Sequence, residues 1–310
     1  MKSFSDLRLF CEYIVNQYGS PDAASEDEKA EEFRNVYLHN LPPTIKTLKA
    51  VASACGINLK GMEADKMPKN LRGYHEVFDG RRNIYYKKGD SISGIENTIL
   101  HEIREMMEPM FAELYADYEP LRTLAVHLAA NRFATSVLLP KDNFRAKAYE
   151  TGLDVIALAR LYSKSCSQVL LRMGEVLQGQ LFFYAALYEN TLQTDIGWKV
   201  SYWTRGWNED CPEANVHGID TLFPRRGHSV TSGSLVDLAV KAGKTHFVQH
   251  ITVADEVEDD GLIAIAQPSM SQRASDKAAL VVLLERDVGK LVPQVERTKP
   301  VIIDNFHKHL

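Results

Sequence analysis

The hydrophobic period changes partway along this chain, near Gly174 to Gly179, and that change limits the fold more than any other feature. Upstream, apolar residues recur at helical spacing, as in LRTLAVHLAANRFATSVLLP from Leu121 to Pro140. Downstream they fall into short strand-like runs: LFFYAALYE, GWKVSYWTR, HFVQHITVA, GLIAIAQPSM and AALVVLLERD, with one clear helix at SGSLVDLAVKAGK. The expected class is therefore α+β, a mainly helical part followed by an antiparallel sheet with a few helices. At 310 residues the chain is long enough for two domains.

Chemistry concentrates in the helical part at Asn97 to Glu105, NTILHEIRE. His101 and Glu105 are four residues apart, so on a helix they lie one above the other and reach a common point where a divalent metal fits. Glu102 is offset from His101 by about 100°, which suits a base beside the metal better than a ligand on it. The peptidase pattern HExxH has a second His where this chain has Glu105. HExxE alone is common on solvated helices, so other residues must carry the assignment.

Those residues lie on the helix predicted over Leu121 to Pro140, whose apolar positions read as Leu124, Leu128, Phe133, Val137 and Leu138. His127 falls between Leu124 and Leu128 on the expected inner side, with Asn131 one turn on. A His in such a place is a core residue with one or two hydrogen-bond partners, or a ligand.

From about Leu41 to Gly174 the chain resembles the ImmA/IrrE-type zinc metallopeptidases, through ENTILHE, the block AANRFATSVLLP and the segment Asp154 to Met173. The family pattern places a second His where this chain has Glu105, and a Glu where it has His127. The two departures are complementary and conserve a two-His, one-carboxylate set: His101, Glu105 and His127. The resemblance thus implies a mainly helical zincin-like core with a small antiparallel sheet. The expected metal is Zn2+, with Mn2+ or Fe2+ as alternatives for such a set. Glu102 is the expected catalytic base and Asn131 a second contact that orients the site. The family's usual substrate is a helix-turn-helix transcriptional repressor, in stress response or mobile-element control.

Two rivals stay open. In one the fold is a pseudo-peptidase that regulates transcription without hydrolysis, favoured if Arg104, three residues from His101, points into the metal pocket. In the other the metal is purely structural, with Asp117 or Glu113 as fourth ligand.

The remaining segments divide the chain into an N-terminal helical extension (1–40), the metallopeptidase core (41–140), a helix-turn-helix-like segment (141–177) and a sensor domain (178–310). In the first, Ser25 and Glu28 fit a capping box. In the second, PTIKTLKAVASACGI reads as a helix ended by Gly56, and GYHEVF-DG-RRNIYYK as a hairpin whose edge strand suits an extended substrate. Tyr74, His75 and Tyr86 lie on it, and nothing in their spacing selects one for the site. In the third, Ser167, Gln168 and Arg172 would face DNA, although basic residues are few for duplex binding. The last resembles a GAF-like domain, with Trp198, Trp203, Trp207 and His217 as pocket candidates and His307 and His309 as surface residues.

Composition excludes some classes. Net charge is −5, which gives no global basic signature for nucleic acid. No apolar run approaches the roughly 18 residues of a membrane helix. The four cysteines, Cys11, Cys55, Cys166 and Cys211, are widely spaced without CxxC, and fit free thiols in a reducing cytoplasm.

Overall fold

The computed structural model describes residues 6–39, 41–181, 183–190, 198–206, 225–230, 234–242, 247–251, 262–269, 277–284 and 287. Trp207, Cys211, His217 and the C-terminal segment with His307 and His309 lie outside the described residues. The chain is α+β and divides into two compact units, Met1–Lys141 and Asp142–Leu310. Among the described residues, no helix is long and apolar enough to cross a membrane.

The first unit opens with α1 (Leu7–Tyr18), capped by Asp6 and stopped by Gly19 at φ 86°, a left-handed position that glycine takes without a Cβ penalty. In α2 (Glu26–Phe33) the expected capping box forms: Ser25 accepts from the Glu28 backbone amide, and the Glu28 side chain accepts from that of Ser25. A π turn, Arg34–Leu38, ends the helix at His39. Phe10, Phe33, Tyr37 and Phe133 stack edge-on or tilted, with centroids 4.9 to 5.7 Å apart. These rings join the two N-terminal helices to the later part of the same unit.

Helix α3 (Ile45–Ala54) starts at a Thr44/Thr47 capping box, and Gly56 follows at φ 70°. Three strands come next: β1 (Ile57–Met62), β2 (Gly73–Phe78) and β3 (Arg81–Lys87). β2 and β3 form the predicted hairpin, and its turn residues Asp79 and Gly80 both have positive φ, the form that matches the twist of paired strands. β1 lies parallel to β3 on its other side, so the order is β1-β3-β2 and β2 is an outer strand.

Helix α4 (Ile92–Leu114) carries the HEIRE stretch and is buried along most of its length. Helix α5 (Thr123–Leu138) packs on it. Here one expectation fails: Leu124 and Leu128 are 72% and 52% exposed. The buried stripe of α5 is Ala130, Phe133, Ala134 and Val137, and it begins only after the first turn and a half of the helix. The expected inner side fails for His127 as well: its side chain is 58% exposed, at the open end of the helix beside the two leucines.

In the second unit, α6 (Lys141–Glu150, from the last residue of the first unit) precedes the helix pair α7 (Val155–Tyr162) and α8 (Cys166–Leu177). Ser163, at φ 54°, turns the chain between them, and Ser165 with Gln168 forms the capping box of α8. Five antiparallel strands follow: β4 (Phe183–Asn190), β5 (Trp198–Arg205), β6 (Phe247–Ile251), β7 (Leu262–Ser269) and β8 (Lys277–Leu284), in the order β5-β4-β8-β7-β6. The helix Leu235–Ala242 packs on one face with Tyr184, Ala186, Leu280 and Val282. On the other, the Val155 amide donates to Gln267 Oε1 at 2.9 Å. Covered on both sides, β8 is buried from Ala278 to Leu284 without polar alternation.

The polar and aromatic candidates of this unit pack into the fold. Arg172 is buried against Glu175 at 3.1 Å, and Gln168 accepts from the Ser165 amide, so two of the three residues expected to face DNA are engaged within the fold. Trp198 and Trp203 pack against the sheet core, Trp203 stacking on Tyr184. Cys11, Cys55 and Cys166 are buried free thiols, and burial pushes each of them up from the ordinary thiol value.

Candidate metal centre

Helices α4 and α5 bring His101, Glu105 and His127 together. His101 Nε2 is 3.0 Å from Glu105 Oε1, and His127 Nδ1 is 3.2 Å from the same oxygen. The two imidazoles meet edge to face with centroids 4.4 Å apart. Ligands held about 2.0 to 2.1 Å from a tetrahedral zinc ion stand about 3.3 to 3.4 Å from each other, so both contacts are hydrogen-bond distances that open by about 0.1 to 0.4 Å to admit one ion. His101 is buried, Glu105 is partly buried and His127 opens to solvent. This set combines a rigid inner end with an accessible outer one.

Asn131 bears on the site through His101 rather than through His127, its neighbour on α5. Its Oδ1 lies 3.0 Å from His101 Nδ1, where it accepts the ring proton and turns the Nε2 lone pair toward Glu105. A lone pair facing a carboxylate at hydrogen-bond distance requires a positive charge between them, a proton or a metal ion. Two imidazoles and a carboxylate are a donor set that fits a divalent cation in place of that proton.

Glu105 responds to these neighbours. The hydrogen bond from His101 lowers its carboxyl, burial opposes, and the charge of His101, the hydrogen bond from His127 and the charge of His75 add to the lowering, which brings it to about 2. It is a carboxylate across the physiological range.

His75 is the residue that spacing alone did not select. Its Nδ1 lies 2.7 Å from Glu102 Oε2 and 3.9 Å from Glu105 Oε2. The cause is a close approach: a Cβ on Gly73 would fall 2.3 Å from Thr98 Cγ2, so glycine lets β2 lie directly on α4. Residues two further along a strand and four further along a helix keep the same faces, which places His75 over Glu102. Tyr74 instead stacks on Tyr85 at 4.8 Å, with its hydroxyl 3.5 Å from Met62 Sδ.

Arg104 points away from this cluster. Its Nε and Nη2 donate to Glu26 at 2.8 and 2.9 Å, its Nη1 donates to Glu108 at 3.0 Å, and the side chain is 1% exposed. Glu108 also accepts from the Tyr118 hydroxyl at 2.6 Å and the Leu121 amide at 2.7 Å. Three residues from His101 spans about 300° around a helix, and α2 captures the guanidinium on that side. Burial alone would raise the Glu26 carboxyl, but the hydrogen bonds and charge of Arg104, joined by Lys29, hold it below the usual carboxylate range. Glu113 pairs with Arg8 at 2.5 Å. Among the described residues, neither Glu113 nor Asp117 belongs to a metal-capable group; the two such groups are His101/Glu105/His127 and His75/Glu102/Glu105.

No protein-family model and no curated protein matches this chain. Among solved structures, a Mycobacterium tuberculosis transcriptional regulator superposes with a TM-score of 0.52 at 12% identity, over 96% of this chain and 87% of that one, a likeness of fold.

Proposed function

We propose that this chain is a metal-dependent endopeptidase of the ImmA/IrrE type that cleaves a protein substrate, a helix-turn-helix transcriptional repressor by resemblance. The observation that carries this reading is the convergence of His101, Glu105 and His127 from two helices on one point, with the buried carboxylate of Glu102 beside it. A divalent ion held by those three ligands would polarise the scissile carbonyl and ease deprotonation of a water. Zn2+ suits the set, and Mn2+ or Fe2+ are the alternatives.

The protein's own groups divide the remaining work. Glu102 accepts the proton of the attacking water as the new C–O bond forms, then delivers it to the amine nitrogen as the C–N bond breaks. Asn131 holds the His101 ring, and His75 holds the Glu102 carboxylate. β2 offers its outer edge to the substrate backbone, which lets the site hold chains of varied sequence.

A second reading is a regulator that does not hydrolyse, with the C-terminal unit as a GAF-like sensor, and it is favoured by the name of the M. tuberculosis neighbour. Metal analysis and peptide profiling separate the two. Purified protein loaded with Zn2+ is incubated with a proteome-derived peptide mixture, and new termini are read by mass spectrometry. Cleavage that disappears with chelator and in Glu102→Gln supports the peptidase. Bound metal without cleavage leaves the regulator, and no metal in native protein sinks the peptidase.

A further inference from the structure

Glu105 has two oxygens, and they face different partners. Oε1 meets His101 Nε2 and His127 Nδ1 at 3.0 and 3.2 Å. Oε2 looks the other way, 3.9 Å from His75 Nδ1, which itself sits 2.7 Å from Glu102 Oε2. His75, Glu102 and Glu105 thus make a second group whose donor atoms all lie within 4.8 Å of one another.

We propose that this group binds a second divalent cation, with the Glu105 carboxylate bridging two ions. The proposal rests on the first site as read above and adds to it. A carboxylate that bridges through both oxygens holds its ions about 3.5 to 4 Å apart, the spacing of two-metal hydrolytic centres. The donors are an imidazole and two carboxylates on two rigid elements, β2 and α4, locked together at Gly73 and Thr98. On the two contacts of His75 the movement is modest: Nδ1 and Glu102 Oε2 open by about 0.6 Å, and Glu105 Oε2 closes on the ring by about 0.5 Å, to reach the separations of ligands on a tetrahedral ion.

Charge supports the assignment. Glu102 and Glu105 are the carboxylates of both groups together, so one divalent ion neutralises the pair and two leave the centre net positive. Negative charge develops on the carbonyl oxygen during peptide hydrolysis, and a positive centre stabilises it. The sequence names no side chain for that task. Glu102 ligating through Oε2 keeps its other oxygen for proton transfer.

The test titrates the full-length metal-free chain with Mn2+, reading stoichiometry by equilibrium dialysis and coupling by electron paramagnetic resonance. The native chain is expected to bind about two ions and, when saturated, to show an exchange-coupled spectrum, as carboxylate-bridged pairs do. His75→Ala is expected to bind about one and to give the six-line signal of an isolated ion. A native chain that saturates at one ion overturns the second site and leaves the first intact; His75 then acts only by hydrogen bonding to Glu102. His75→Ala that still binds two coupled ions also overturns it. A native chain that binds none removes both sites, and circular dichroism of each protein establishes that it is folded.

Discussion

Gly73 and Thr98 share a contact that has no room for a side chain: a Cβ on Gly73 would fall 2.3 Å from Thr98 Cγ2 and 2.5 Å from the Tyr85 carbonyl oxygen. Gly73→Ala is expected to push β2 off α4 at a cost of about 1 to 3 kcal/mol, lowering the melting temperature and separating His75 from Glu102. Thr98→Ser in that background removes one of the two clashes and should recover part of the loss. An unchanged melting temperature in Gly73→Ala would show that the strand does not press on the helix.

Glu102→Gln removes a base without removing a first-site ligand. Hydrolysis should fall by about 100- to 10,000-fold, while the ion at His101, Glu105 and His127 stays bound. If elemental analysis finds that this ion has gone, the division of roles between Glu102 and Glu105 is wrong. His127→Ala is expected to do the reverse and empty that site.

Arg104→Met leaves Glu108 buried without its cation and Glu26 with Lys29 alone, which costs about 3 to 5 kcal/mol. Denaturant unfolding measures this directly. The guanidinium faces α2, not the cluster, so protein that remains folded should hold the first ion with native affinity.

Acid stability follows from the lowered carboxyls. Glu105 sits at about 2 in the fold against an ordinary 4.5, and Glu26 is lowered in the same direction. A group depressed by folding contributes its full stabilisation above the unfolded value and loses it as pH falls through the folded one. Metal-free protein should therefore weaken progressively from about pH 4.5 toward pH 2. Glu26→Gln lacks one of these groups, so its melting temperature should drop less than the native one between pH 6 and pH 3. An equal drop would mean that the Arg104 pair does not contribute to the acid response.

How far the site can be read in the chain depends on the range of each contact. His101 and Glu105 are visible because i and i+4 on one helix are fixed neighbours. His127 needs a second helix, and its place comes from the permuted family pattern. His75 is invisible at that level, since its approach depends on the missing Cβ of Gly73 against a residue 25 positions later. Leu124 and Leu128 mislead for the opposite reason: they keep helical spacing but lie off the stripe that α5 buries. The sheet in the second unit is legible as strands, while its order β5-β4-β8-β7-β6 is set by long-range pairing that periodicity does not encode.

The bond between Arg104 and Glu26 spans 78 residues. On a ribosome adding about 5 to 20 residues per second, Glu26 has only Lys29 of its own helix as a cation for about 4 to 16 s before Arg104 is made. During that interval the carboxylates of Glu26, Asp27 and Glu28 stay hydrated at a capped helix start, where the helix dipole favours them. Helix α4 arrives with the clamp for α2 and with His101, Glu102 and Glu105, and the centre is complete only when α5 follows with His127, so the N-terminal half closes on its clamp before the last ligand is made.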